Sequence, residues 1–207
     1  MSPSAEPVPA VALLDVSEAV LAQLLELALR DADADEVTPP LGTAAGWNTD
    51  RISWFREFHR ASAAGLDGPA GQKSWAISCD GQLAGSIRLR RTDTGPTEAA
   101  DGGAGAGDAG AGDGGAGGGD ADAGAGGWAL ETGIWLARSF RGRGVGREAL
   151  RQVKARAPSA GAAVLVAETT AGNVGALALL KSAGAELETG AASETETVPV
   201  RGKIPLH

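Results

Sequence analysis

The chain has no tyrosine, one cysteine (Cys79), one methionine and two histidines, His59 and His207. A single cysteine excludes an intramolecular disulfide framework and a multi-cysteine zinc site. Two histidines leave little for a metal cluster, so no metal is expected. The missing tyrosine removes one common general acid. No apolar run approaches the roughly 20 residues of a membrane-spanning helix, and no basic segment leads into an apolar one at the start. The net charge of -8 over 207 residues argues against nucleic acid as the main partner. A soluble, cytoplasmic protein with no membrane partner is expected.

What is abundant is glycine, 32 residues, of which 14 lie in Asp101 to Gly127, a stretch made only of Gly, Ala and Asp. No apolar side chain there is larger than alanine, so burial cannot offset the entropy of ordering. This reads as a disordered insertion at 95–127 inside one domain spanning 8–207, preceded by a flexible N-terminus at 1–7. Loop closure costs grow slowly with length, so the insertion can join neighbouring antiparallel strands.

Periodicity organises the rest. Val8 to Leu14 reads as a strand, and Asp15 offers a cap to a helix ending near Asp31. The acidic run Asp31 to Glu36 reads as a loop. Asn48 or Thr49 caps a second helix with Ile52, Phe55 and His59 on one side. Lys73 to Cys79 and Gln82 to Arg91 read as strands joined at Asp80-Gly81, a strong hairpin signal. Trp128 to Ala137 alternates as a strand, and Ala162 to Glu168 is continuously apolar, as a central strand is. Asn173 opens a short apolar helix. Ala185 to Glu188 and Thr197 to Leu206 complete the chain, with Pro199 and Pro205 placing the last strand at an edge or making it irregular. The class is α/β, mixed, with about four helices.

Between the strand ending at Ala137 and the next helix lies Arg141-Gly142-Arg143-Gly144-Val145-Gly146. Backbone N–H groups at a helix start lack intrahelical partners and sit at the positive end of its dipole. Glycines let an anion come close, so a phosphate or pyrophosphate is the expected ligand. Arg138 to Arg156 holds seven basic residues and one acid, Glu148. The P-loop ending Gly-Lys-Ser/Thr is absent, and Arg147 stands where a dinucleotide fingerprint needs its third glycine.

Arg141, Gly144 and Gly146 form Arg-x-x-Gly-x-Gly, and Asn173-x-x-Ala176 is followed by Leu179-Leu180-Lys181 and Gly184. On these two blocks the sequence resembles the GNAT superfamily of N-acetyltransferases. The strand Leu130 to Leu136 is most similar to the branch with ribosomal-protein N-terminal and small-amine acetyltransferases. The resemblance implies a mostly antiparallel sheet whose fourth and fifth strands splay apart. It implies acetyl-coenzyme A (acetyl-CoA) as cofactor, its pyrophosphate on Arg141, Gly142, Arg143, Gly144, Val145, Gly146 and Arg147. Its pantetheine would lie along Trp135, Leu136 and Ala137, with Asn173 and Ala176 beside it. The tyrosine that often protonates the thiolate in this family is replaced by Leu180.

Direct acetyl transfer needs a neutral amine and a proton acceptor. Glu131 is the expected base, with Glu168 as a second catalytic carboxylate; the alternative for Glu131 is an ion-paired strand glutamate. His59 shares a face with apolar residues and reads as packed, and Ser182 is a weak donor candidate. The resemblance puts the acceptor among the first helices, where residues 1–72 hold eleven acids and four arginines. Asp33, Asp35 and Glu36 with Trp47, Trp54 and Phe58 suit a polycationic small-molecule amine. An aminoglycoside-type antibiotic is therefore the expected acceptor, and a kasugamycin-type acetyltransferase is one candidate. The alternatives are a protein N-terminus and a non-catalytic acyl-CoA sensor. The resemblance also admits a homodimer through the last strands.

Overall fold

The computed structural model describes residues 9–43, 45–92, 128–190 and 198–206. The N-terminus expected to be flexible at 1–7 lies outside them, as does the insertion expected at 95–127. Among the described residues are seven strands: β1 (Val11–Asp15), β2 (Gln72–Cys79), β3 (Gln82–Arg91), β4 (Trp128–Leu136), β5 (Ala162–Thr170), β6 (Glu186–Thr189) and β7 (Pro199–Pro205). The α-helices are α1 (Glu18–Asp31), α2 (Ala34–Val37), α3 (Thr49–Ala61), α4 (Val145–Arg156) and α5 (Val174–Ser182). The strands form one sheet in the order β1-β2-β3-β4-β5-β7-β6. Its neighbours are antiparallel except β4 and β5, which are parallel. This is the mixed, mostly antiparallel α/β sheet expected from the sequence.

Local chemistry sets the boundaries. Asn48 Oδ1 accepts from Arg51 N–H and starts α3. Asp80 and Gly81, at φ 52° and 82°, make the hairpin turn between β2 and β3. Asp15 does not cap α1. It ends β1, its carboxylate 2.7 Å from Lys73 Nζ, and the Ser17 hydroxyl accepts from Val20 N–H instead.

Two further expectations are corrected. The acidic loop contains α2, because Thr38 closes a single turn through both its N–H and its hydroxyl on the Ala34 carbonyl. The last strand is not at an edge: β7 lies between β5 and β6, and β6 is the edge. Pro199 and Pro205 are its first and last residues, so the missing N–H groups fall at its ends and the middle keeps its donors.

Leu21, Leu24, Leu25 and Ala28 of α1 pack with Ile87, Leu89, Leu130 and Leu165 of the sheet and Leu150 and Val153 of α4. The consequence for function lies at the middle of the sheet. β4 pairs with β5 only as far as Thr132 and Ala167. β3 follows β4 to Leu136, while β7 follows β5 to Thr170. Gly133–Leu136 and Glu168–Thr170 therefore diverge, and the sheet opens into a V.

Candidate functional site

One arm of the V is fixed by glycine. A Cβ on Gly85, at φ 155°, would stand 2.1 Å from the Trp135 carbonyl oxygen. Only glycine lets β3 follow β4 this closely. Ala137 N–H donates to the Ala84 carbonyl, and the Leu136 carbonyl accepts from Arg141 Nε at 3.0 Å. Two backbone groups of the expected pantetheine ledge therefore have internal partners.

Past Leu136 the chain makes a single 3-10 turn, Arg138–Phe140, and reaches the glycine turn. Gly142 and Gly144 have φ of 73° and 79°, and a Cβ on either would meet nothing within 4 Å. Gly144 is the N-cap of α4 and offers no side chain, so no side chain caps the first N–H groups of the helix. Gly146 is covered: its Cβ would lie 3.3 Å from Leu136 Cδ1 and 3.6 Å from Leu179 Cδ2. This packs the helix start against β4 and α5. The turn is an uncapped dipole end in a glycine cradle, which fits a pyrophosphate.

The surrounding cations are not equivalent. Arg138 pairs with Asp33 at 2.5 Å, and Arg141 holds both oxygens of Glu36 at 3.1 and 2.6 Å. Arg151 holds Glu148, whose carboxyl is pushed down to about 2 by that hydrogen bond and one from Gln152. Arg143 and Arg147 are exposed and have no ion pair among the described residues.

The acidic segment is accordingly a clasp on the glycine turn. Asp31 accepts from Ser139 N–H and from its hydroxyl, at 3.2 and 2.5 Å, which lowers the Asp31 carboxyl. The Arg138 hydrogen bond lowers that of Asp33. Asp35 turns the other way, to Arg51 of α3 at 2.7 Å. Arg51 is buried, and its Nε has no hydrogen-bond partner among the described residues. The three carboxylates predicted to bind an acceptor amine thus each have an internal arginine.

Beside the clasp, a cavity of about 510 Å³ runs from α2 and α3 to the mouth of the V. Trp54 and Phe58 form one wall, stacked at 4.9 Å. Asp35 and Glu36 also line it, but Trp47 does not. Trp47 donates its indole N–H to the Ala32 carbonyl and packs edge-on against Phe55. His59 lines the cavity at 2 % exposure with Nδ1 3.0 Å from the Ser74 hydroxyl. Burial lowers it to about 4, so it is neutral near pH 7.

The two catalytic candidates separate clearly. Glu131 lies outside the cavity lining at 12 % exposure, with Arg88 Nη2 on one oxygen at 2.6 Å and Arg90 Nη2 on the other. Its lone pairs are engaged by two cations. Glu168, past the last β4–β5 pairing and opposite Arg201 in the β5–β7 ladder, lines the cavity and is exposed, and its carboxylate makes no hydrogen bond or ion pair among the described residues.

Asn173 Oδ1 accepts from Ala176 N–H at 3.0 Å, a helix cap that leaves its NH₂ without a partner among the described residues. Leu180 is buried against β7, where a Cβ on Gly202 would lie 3.1 Å from its Cδ1. No hydroxyl stands there. Ser182 is exposed and its hydroxyl donates to the Leu179 carbonyl. Cys79 is buried, which raises its thiol.

Ser86, Arg88, Arg90 and Gly133 also line the cavity, and sequence reasoning missed them as site residues. The signal was present in Gly-Ser-Ile-Arg-Leu-Arg, because strand alternation puts Ser86, Arg88 and Arg90 on one face and Ile87 and Leu89 on the other. Among the described residues, no group of three or more His, Cys, Asp or Glu could hold a metal, and no helix is long and apolar enough to cross a membrane.

A model of the acetyltransferase (GNAT) family matches residues 27–185. No curated protein matches the sequence. Among solved structures, the chain is similar to RimL, a ribosomal L7/L12 alpha-N-protein acetyltransferase in complex with coenzyme A. The TM-score is 0.62 at 14 % identity, over 97 % of each chain. It is similar to yncA, a putative acetyltransferase from Salmonella typhimurium with acetyl-CoA. There the TM-score is 0.55 at 13 % identity, over 97 % of this chain and 95 % of that one. The GNAT domain of S. lividans PAT gives 0.59 at 17 % identity over the whole of both chains.

Proposed function

The chain belongs to the acetyltransferase (GNAT) family, and on that premise we propose that it acetylates a primary amine held in the cavity beside Glu168. The cofactor is acetyl-CoA, which supplies an activated thioester. The glycine turn Gly142–Gly146, with Arg143 and Arg147, binds its pyrophosphate, and the V between β4 and β5 receives its acyl arm.

One observation carries the assignment of roles: of the two expected carboxylates, only Glu168 faces the cavity with unengaged oxygens. Glu168 takes the proton that the amine must lose, directly or through water. The new C–N bond forms as the C–S bond breaks, and sulfur leaves with the bonding pair. A coenzyme A thiol is acidic enough to leave as thiolate, so the apolar Leu180 in place of a hydroxyl is no obstacle. Positioning of the two bound reactants supplies much of the rate.

The aminoglycoside expectation needs several unpaired carboxylates. Asp33, Asp35 and Glu36 are all neutralised by arginines of the chain, which favours an acceptor with one ammonium group. A peptide N-terminus is such an acceptor, and L7/L12 is what the similar RimL acts on.

A thiol-release assay with acetyl-CoA across monoamines, N-terminal peptides and aminoglycosides tests the reading. Release with at least one amine, lost in Glu168→Gln, is expected. Tight acetyl-CoA binding with no acetylation of any amine would instead establish a non-catalytic sensor.

A further inference from the structure

The charges of the cavity do not cancel evenly. Asp35 is matched by Arg51 and Glu36 by Arg141. On the floor, however, Arg88 and Arg90 share the single carboxylate of Glu131. One positive charge is left over there, and across from it stands the Glu168 carboxylate, which makes no ion pair among the described residues and has Arg201 of β7 opposite it in register. The two lie on opposite arms of the V.

The floor also has spare donors. A guanidinium carries five N–H groups, and Glu131 engages one Nη2 of each arginine. The Arg88 and Arg90 side chains are 28 % and 49 % exposed, and both line the cavity.

The sequence lets the Arg88 guanidinium reach across the middle strand toward the other arm. Arg88 stands opposite Gly133 in the β3–β4 register. A Cβ on Gly133 would lie 2.8 Å from Arg88 Nε, so the arginine lies flat across the glycine. On the far arm, Glu168 comes one residue after Ala167, the partner of Thr132. Arg88, Gly133 and Glu168 therefore occupy one row across three strands, with no side chain on the middle one. The guanidinium therefore lies over the middle strand, about one strand spacing of 4.8 Å from the Glu168 strand before the splay is added. That distance suits a small molecule with charges at its two ends.

We propose that the acceptor carries an anionic group, a carboxylate or similar oxyanion, as well as its amine. The oxyanion sits on the spare donors of Arg88 and Arg90, and the amine faces Glu168. This rests on the acetyltransferase reading of the same cavity. It excludes polycations, because an ammonium group directed to the floor would meet two guanidinium groups. A free amino acid and a peptide N-terminus followed by an acidic residue share the required chemistry.

The test compares matched acceptors in the thiol-release assay: amino acids, their amides, and peptides with acidic or neutral second residues. Direct titration of the protein with each compound is the second readout. For the preferred class, the carboxylate compound is expected to show a KM and a dissociation constant at least about tenfold lower than its neutral counterpart. Arg90→Gln should bring that ratio close to one by raising the KM and the dissociation constant of the carboxylate compound toward those of its neutral counterpart. Discrimination among free amino acids identifies a small-molecule acceptor, and discrimination only among peptides identifies a protein one. If neutral and anionic partners are acetylated equally well, the acetyltransferase reading stands and this proposal falls. If no amine is acetylated although acetyl-CoA binds, the parent reading falls and takes the proposal with it.

Discussion

The two halves of the candidate site are built on different principles. The cofactor side is made of backbone: Gly142 and Gly144 at positive φ, an uncapped helix end, and a strand edge opened by the splay of β4 from β5. The acceptor side is made of side chains paired over long separations: Asp33 with Arg138, Asp35 with Arg51, Glu36 with Arg141, Glu131 with Arg88 and Arg90. Backbone sites tolerate little change at a few positions. Side-chain sites distribute their energy, and each exposed pair contributes little alone.

The sharpest way to break the comparison is Gly144→Asp. Aspartate accepts the left-handed conformation better than most residues, so the helix should survive. Its carboxylate would stand in the anion cradle. Acetyl-CoA affinity should fall by about a hundredfold or more, with an unchanged far-ultraviolet dichroism spectrum. Wild-type affinity on titration would remove the turn from the cofactor site.

On the acceptor side the largest effect should follow Glu168→Gln. Loss of a general base lowers kcat by about a hundredfold, with acetyl-CoA affinity retained. Glu131→Gln should do the reverse. It leaves two guanidinium groups competing for one neutral amide, so thermal stability falls while kcat changes less. Equal kcat losses in the two variants would put Glu131 back into the chemistry.

This contrast also explains what the sequence made legible. Gly142, Gly144 and the cap at Asn173 were readable because backbone conformation is a local property of residue type. Asp33 was not, and for Glu131 the ion pair stood only as the alternative, because their roles depend on arginines 105 and 41 residues away. A sequence shows that a carboxylate exists but not whether its charge is already met. Pro199 misled for a related reason. Proline in a strand signals an edge only if it lies within the pairing, and here it opens the strand. The Ser86-Arg88-Arg90 face was readable by alternation, but nothing local marked it as a cavity floor.

His59 sharpens the comparison through pH. Its folded value of about 4 lies below the usual 6.5, so the unfolded chain binds its proton first. Stability is therefore full above pH 6.5 and declines as the pH falls toward 4, by up to about 3 kcal/mol. Melting temperatures between pH 7 and 4 should show this slope, and His59→Gln should flatten it. A slope unchanged in the variant would assign the acid sensitivity to other groups.

The smallest expected effect joins the two halves. Glu36 lines the acceptor cavity, yet its carboxylate holds Arg141, whose Nε holds the Leu136 carbonyl at the mouth of the V. Glu36→Gln keeps the shape and removes the charge. An exposed pair of this kind contributes little to stability, so melting should barely move. Its geometric part is different, because Arg141 connects α2 to the turn that receives the pyrophosphate. Acetyl-CoA affinity should fall roughly two- to fivefold, and the acceptor KM should rise with it, because one contact supports both walls. A change in acceptor KM alone would show that α2 serves the acceptor side independently, and that the two halves are joined only by the sheet.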